Sequence, residues 1–274
     1  MSPRAIAVGE ALIDEFPDRR VVAGAPLHVL AHLAALGWET AMITRLGRDA
    51  DADSIVDAMA AAGVSTALVE TDETLPTGTT TITLLPEGGH TFAVNAPAAW
   101  DAIVGPDPVP DHEVVVFGTL ALRDPRTRHA VDRIAAAPGF VVVDLNLRPP
   151  HYDATTVAAA LDRADLVKAT AEEEHEVTSL LGVPSLFTSA ATWVCITRGA
   201  DGASLRHRSG EKWDVPAKPT SVVDAVGAGD AFLAGLIDGL VVHRDPLGAL
   251  RGASHLAADT LSRRGGMPAP RKRT

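Results

Sequence analysis

Asp224-Ala225-Val226-Gly227-Ala228-Gly229-Asp230 sets two carboxylates around a run of small residues, and Phe232-Leu233-Ala234-Gly235-Leu236-Ile237 continues it as an apolar helix. Glycines at 227 and 229 allow a tight turn and a close approach of backbone to a ligand. The free N–H groups at a helix start, together with the helix dipole, favour an anion there. Asp230 places a carboxylate at that same anion site. Such a pairing makes chemical sense when the carboxylate takes a proton from a nucleophile while a phosphoryl group moves. No lysine of the chain follows a glycine, which excludes a Walker A loop. Two plainer readings compete. One is a glycine turn with Asp230 as an N-terminal helix charge. The other is a dinucleotide fingerprint, but Phe232 stands where its third glycine belongs. The chain then runs to Asp245-Pro246 and another helix, not to a strand ending in an acid.

Those residues need a frame to hold them. Strand-like runs are predicted at residues 5–8, 40–44, 114–117, 140–144, 166–167 and 193–197. Helices are predicted over 26–36, 53–62, 126–137, 155–164, 172–181, 229–240 and 246–261, the first two stopped by Gly37 and Gly63. This alternation predicts an α/β fold with a central, mostly parallel sheet flanked by helices. Two segments break the rhythm. Residues 12–22 read as short, charged β structure. Residues 77–95 read as a hairpin, with strands at 79–85 and 91–94 around a Pro86-Glu87-Gly88-Gly89 turn. Together they predict a small β-strand lid on a single domain covering 1–274.

With 274 residues, 46% of them hydrophobic, the chain is long enough for a sizeable core. A net charge of −11 argues against nucleic acid as the main partner, and the tail Arg271-Lys272-Arg273 is too short to reverse that. The one cysteine, Cys195, lies in an apolar strand-like run and reads as a buried core residue. One cysteine permits no internal disulfide, in keeping with a reducing cytoplasm. No apolar run reaches the ~18 residues of a membrane span, and Glu10, Asp14 and Glu15 come too early for a signal peptide. No Gly-x-Ser-x-Gly elbow is present.

Motifs along most of the chain resemble, in order, those of the ribokinase-like (PfkB) carbohydrate kinases. Val8-Gly9-Glu10-Ala11-Leu12-Ile13-Asp14 resembles that family's opening strand and sugar-binding acid. The run from Ala23-Gly24-Ala25-Pro26 to Gly37 resembles its N-terminal signature, and Pro76-Thr77-Gly78 its lid strand. Asp144-Leu145-Asn146-Leu147-Arg148-Pro149-Pro150 resembles a segment typical of fructokinases. Thr197-Arg198-Gly199-Ala200-Asp201-Gly202 resembles the nucleotide loop, and Asp224 through Asp230 the C-terminal signature. The resemblance implies a kinase using ATP and Mg²⁺ on a small sugar, fructose first, in the cytoplasm. Asp230 would be the base, and the backbone of Gly227, Ala228 and Gly229 the anion hole. Asp14, Gly24 and His28 would face the sugar, and Arg148 the sugar or the phosphates. Asn146, Lys168, Thr170, Thr197, Gly199 and Gly202 would face the nucleotide. Glu173 would help organise Mg²⁺, and Asp224 with the Val226 carbonyl would form a site for K⁺. A homodimer through the lid is left open, with an apolar outer lid face as its cue.

The chain departs from the family pattern at Ala23, His28, Thr170, Ala225 and Ser254. His28 stands where the family has a sugar-contacting Asn. Imidazole is bulkier and cannot donate and accept in a carboxamide's geometry. The departure predicts weak use of fructose, or a different acceptor: another small sugar, a sugar acid or a nucleoside. A sugar- or nucleotide-binding homologue with little turnover is the alternative of another class. His28 and His32 have metal-ligand spacing on one helix, but no Glu follows His28, so His32 reads as a packed residue. Glu172 and Glu174 read as solvated charges at a helix start, and Asp49, Asp51 and Asp53 as a cap and first turn.

Overall fold

The computed structural model describes residues 2–84, 90–187 and 191–268; Leu85, the turn expected at 86–89 and the basic tail at 271–273 lie outside them. The chain opens with strands β1 (Arg4–Val8), β2 (Leu12–Glu15) and β3 (Arg20–Ala23), then helix α1 (Ala25–Leu36). Strand β4 (Glu39–Leu46), helix α2 (Ala50–Ala62) and the short strands β5 (Val64–Ser65) and β6 (Val69–Thr71) follow. Next come β7 (Gly78–Leu84), β8 (His90–Val94), β9 (Val114–Gly118), α3 (Pro125–Ala135), β10 (Phe140–Asp144), α4 (Ala154–Arg163), β11 (Leu166–Thr170) and α5 (Ala171–Leu181). The last part holds β12 (Trp193–Thr197), β13 (Ala203–His207), β14 (Lys212–Val215), α6 (Ala228–Asp238) and α7 (Pro246–Leu261).

Local chemistry sets the helix ends. Asp49, Asp124, Asp153 and Asp245 each accept a backbone N–H from the first turn of the helix they precede. Thr170 and Glu173 form a reciprocal capping box at α5. Helices α1, α2 and α5 stop at left-handed glycines 37, 63 and 182. Helix α6 ends at Asp238, short of the expected 240, and continues as a π turn over Gly239–His243.

The main sheet runs β14-β13-β12-β11-β10-β9-β1-β4-β5, with β6 also on β4. Pairing is parallel from β5 to β12, and antiparallel only where β13 and β14 extend the edge. Successive strand residues feed opposite cores. Ala5 and Ala7 pack with α1, α6 and α7, while Ile6 and Val8 pack with α3, α4 and α5. Both faces are covered, so these strands read as continuous apolar runs. Cys195 is fully buried in β12. A separate sheet, β3-β2-β7-β8, joins β2 to β7 in parallel and is otherwise antiparallel. The exposed positions 81 and 83 of β7 are threonines, so this strand does not show the apolar outer face named as the dimer cue.

Candidate active site

The site forms where the parallel strands end, the usual place for ligands in such sheets. The chain leaves β1 at Gly9-Glu10, β10 at Leu145-Asn146 and β11 at Thr170. Gly24, before α1, has φ 128°, and a Cβ there would lie 2.5 Å from the Glu10 carbonyl oxygen. Only glycine fits this approach without shifting the backbone. A cleft of about 320 Å³ results, lined by Glu10, Asp14, His28, Arg148, Lys168 and Asp230 among others. The second sheet roofs it with Leu12, Thr80, Phe92 and Val94. The Arg148 guanidinium lies over the Phe92 ring, 5.0 Å from its centroid.

Helix α6 begins beside this cleft. Gly227 caps it in the left-handed conformation, φ 76°. Gly229 is already helical, so its part is not the turn but clearance: a Cβ there would lie 3.2 Å from Lys168 Nζ. A second groove, about 610 Å³, opens on the other side of α6. Thr170, Thr197, Gly199, Gly202, Lys218 and Ser254 are among its lining residues, and Ala225 and Gly229 line both hollows. The α6 N-terminus, a ready anion site, is thus the shared wall between a small polar cleft and a longer, more apolar groove.

Charges concentrate in the small cleft. Lys168 Nζ sits 3.0 Å from both Asp144 carboxylate oxygens. Burial alone would lower its ammonium, but Asp144, Glu173 and Asp230 outweigh burial and raise it, so a fixed cation faces Gly229. His28 Nδ1 lies 2.9 Å from Asp230 Oδ2. Burial disfavours imidazolium here too, but the Asp230 hydrogen bond and the charges of Asp230 and Asp14 raise His28 above its ordinary value. Burial pushes Glu10 up to about 7 and Asp14 up to about 6, with His28 and Arg148 opposing the latter.

The expected site residues fall into place unevenly. Asp14, Gly24, His28 and Arg148 share the small cleft with Asp230. Thr170, Thr197, Gly199 and Gly202 share the groove. Asn146 and Lys168, expected on the nucleotide side, line the small cleft instead. Glu10, Thr80 and Phe92 also line it and were not singled out. Glu10 had a readable signal, an acid directly after an apolar strand and a glycine. His32 is buried and bonds the Gly266 carbonyl, as a packed residue would.

The candidate metal residues serve the backbone first. Glu173 accepts the N–H of Leu147 and of Thr170, one on each oxygen. Asp224 accepts those of Val226 and Gly265 in the same way. Among the described residues no three His, Cys, Asp or Glu side chains converge as a metal cage. This donor set fits Mg²⁺ carried in on phosphates better than an all-protein site.

Comparison with known proteins gives the site a context. The family profile described as pfkB family carbohydrate kinase matches residues 10–272. A fructokinase of Klebsiella pneumoniae is 28% identical over 268 residues, 90% of this chain and 87% of its own. An aminoimidazole riboside kinase of Salmonella typhimurium is 28% identical over 251 residues, covering 84% and 78% respectively. A Vibrio cholerae fructokinase double mutant, solved with fructose, ADP and potassium, superposes with a TM-score of 0.83 at 25% identity, over 97% of this chain and 94% of its own.

Proposed function

Because the chain belongs to the pfkB family of carbohydrate kinases, we propose that it transfers the γ-phosphoryl group of ATP to a hydroxyl of fructose. That it is a phosphotransferase with an alcohol acceptor follows from the family. The observation that carries the finer reading is the position of Asp230, in the first turn of α6 and facing the small cleft, with the groove on the helix's other side. The acceptor occupies the cleft, held by Asp14, Arg148 and the Gly24 turn. ATP lies in the groove along Thr170, Thr197, Gly199 and Gly202. Its terminal phosphate meets the N–H groups of Gly227, Ala228 and Gly229, with Lys168 beneath and Asn146 beside them.

In the reaction, Asp230 takes the proton of the attacking hydroxyl. The acceptor oxygen forms a bond to the γ-phosphorus as its bond to the ADP oxygen breaks. The α6 N-terminus and Lys168 stabilise the charge on the transferring group, which is most of what such catalysis requires. Glu173 is the residue that would hold Mg²⁺, which when bound would supply charge neutralisation for the phosphates. Asp224 and the Val226 carbonyl would hold K⁺ behind the anion hole. The β3-β2-β7-β8 sheet serves as the lid that keeps water from competing for the phosphoryl group. Sugar and ATP are the partners in this reading, with no part for nucleic acid or membrane, and the compartment is the cytoplasm. Among the described residues no helix is long and apolar enough to cross a membrane.

One observation favours a second acceptor class. Arg148 has no ion-pair partner among the described residues, so a sugar carboxylate could take it. An ADP-release assay over fructose, other small sugars, sugar acids and nucleosides tests both readings. Fructose turnover above the others is expected. A preference for sugar acids would replace fructose, and ligand-induced thermal shifts without turnover on any acceptor would mark a binding homologue.

A further inference from the structure

Helix α1 carries two buried histidines one turn apart, His28 and His32, and both reach the same C-terminal glycine turn. His32 Nε2 is 2.9 Å from the Gly266 carbonyl. Burial lowers His32 to about 4, so its ring is neutral and Nε2 carries the proton it donates. The His28 ring stands against Gly266 itself: a Cβ at that position would lie 2.6 Å from His28 Cε1 and 2.8 Å from Nδ1. The turn also backs the anion site. A Cβ on Gly227 would lie 2.3 Å from Gly266 Cα, and the Gly265 N–H donates to Asp224 at 3.1 Å. His28 is therefore wedged between this turn and the carboxylate 202 positions further along the chain.

We propose that His28 is a positioning residue for the base: seated on Gly266, which His32 holds, it donates Nδ1–H to Asp230 Oδ2 and leaves Oδ1 to face the acceptor hydroxyl. The proposal rests on the reading of Asp230 as base. It also implies a pH response. A neutral imidazole orients the carboxylate, whereas an imidazolium locks it in an ion pair and weakens it as a base. Turnover then rises with pH as His28 loses its proton, and falls as pH drops through that titration. The groups facing His28 are Asp230 on α6, Asp14 on β2, the Val22 carbonyl on β3 and His32 on α1. Glu10, Asp144 and Lys168 face Asp230 from the other side. Burial also raises Glu10 to about 7 and Asp14 to about 6, so the test must separate them from His28.

The imidazole signal of His28, assigned by its loss in His28→Asn, is followed against pH by NMR. Its midpoint is expected above the ordinary imidazole value in the native protein and lower in Asp230→Asn, which removes the charge that raises it. This readout needs no turnover, so an inactive native protein would sink the kinase reading and leave the coupling standing. The kcat–pH profile with the best acceptor is expected to show an acid limb that keeps its position in Glu10→Gln and in Asp14→Asn and moves to lower pH in His28→Asn. An unchanged midpoint in Asp230→Asn, or an acid limb that stays at its native position in His28→Asn, would each overturn the proposal.

Discussion

Glu10 is 3% exposed and its Oε2 has no hydrogen-bond partner among the described residues. Burial raises its acid from 4.5 to about 7, so the fold prefers the protonated form. Stability from this group is present below about pH 4.5 and is lost as pH rises through 7; a shift of that size corresponds to about 3 kcal/mol. Glu10→Gln should therefore melt higher than the native protein at pH 8 and match it near pH 4. Equal differences at both would show that the carboxylate is not a buried charge. His32, lowered to about 4, works with the opposite sign: its stability is lost as pH falls from 6.5 towards 4. Asp230 sets the catalytic test. Asp230→Asn should keep ligand-induced thermal shifts while kcat falls by about 10² to 10⁴, the usual worth of a general base. Near-native turnover would remove Asp230 from that role.

The first turn of α6 allows activity and stability to be set against each other. Gly229 is helical, so alanine there should add about 1 kcal/mol of helix propensity. The new methyl would stand 3.2 Å from Lys168 Nζ, at the anion site. Gly229→Ala is expected to melt at or above the native temperature and to lose tenfold or more in kcat; a variant with native kcat would show that phosphate does not approach there. The motif around Gly229 was legible because its small residues and acid are contiguous; of the turn and the close approach read for its two glycines, Gly227 makes the turn and Gly229 the clearance. Buried strands such as β9 were legible as apolar runs. Strands β5 and β6 were not, being too short to show a period, and β13 and β14 mix charge into theirs. Strand β11 was cut short in the reading by the charge of Lys168, whose partner Asp144 lies on another strand. The His28–Asp230 pair leaves no local mark at all, because only the packing of α1 on α6 brings it together.

On the scale of the molecule, both hollows end on a helix that is part of the main core, so filling them should stabilise the whole chain. A non-hydrolysable ATP analogue at about 100 times its Kd should contribute about 2.7 kcal/mol, a rise in melting temperature of roughly 5–10 °C for a chain of this size. Calorimetry checks this, and no shift at saturating analogue would argue against the groove as its site. The two hollows also draw on different stretches of chain. The roof and much of the wall of the small cleft come from residues 10–94, whereas the groove is built from residues 170–261. On the proposed reading, acceptor contacts are drawn largely from the first third of the chain and nucleotide contacts from the last. Drift in the first third could retune what is phosphorylated without disturbing the donor. On that reading, a chimera carrying a relative's first hundred residues and its residue at position 148, with the α1–α6 seam matched, would inherit that relative's taste in acceptors and keep this chain's own phosphate source.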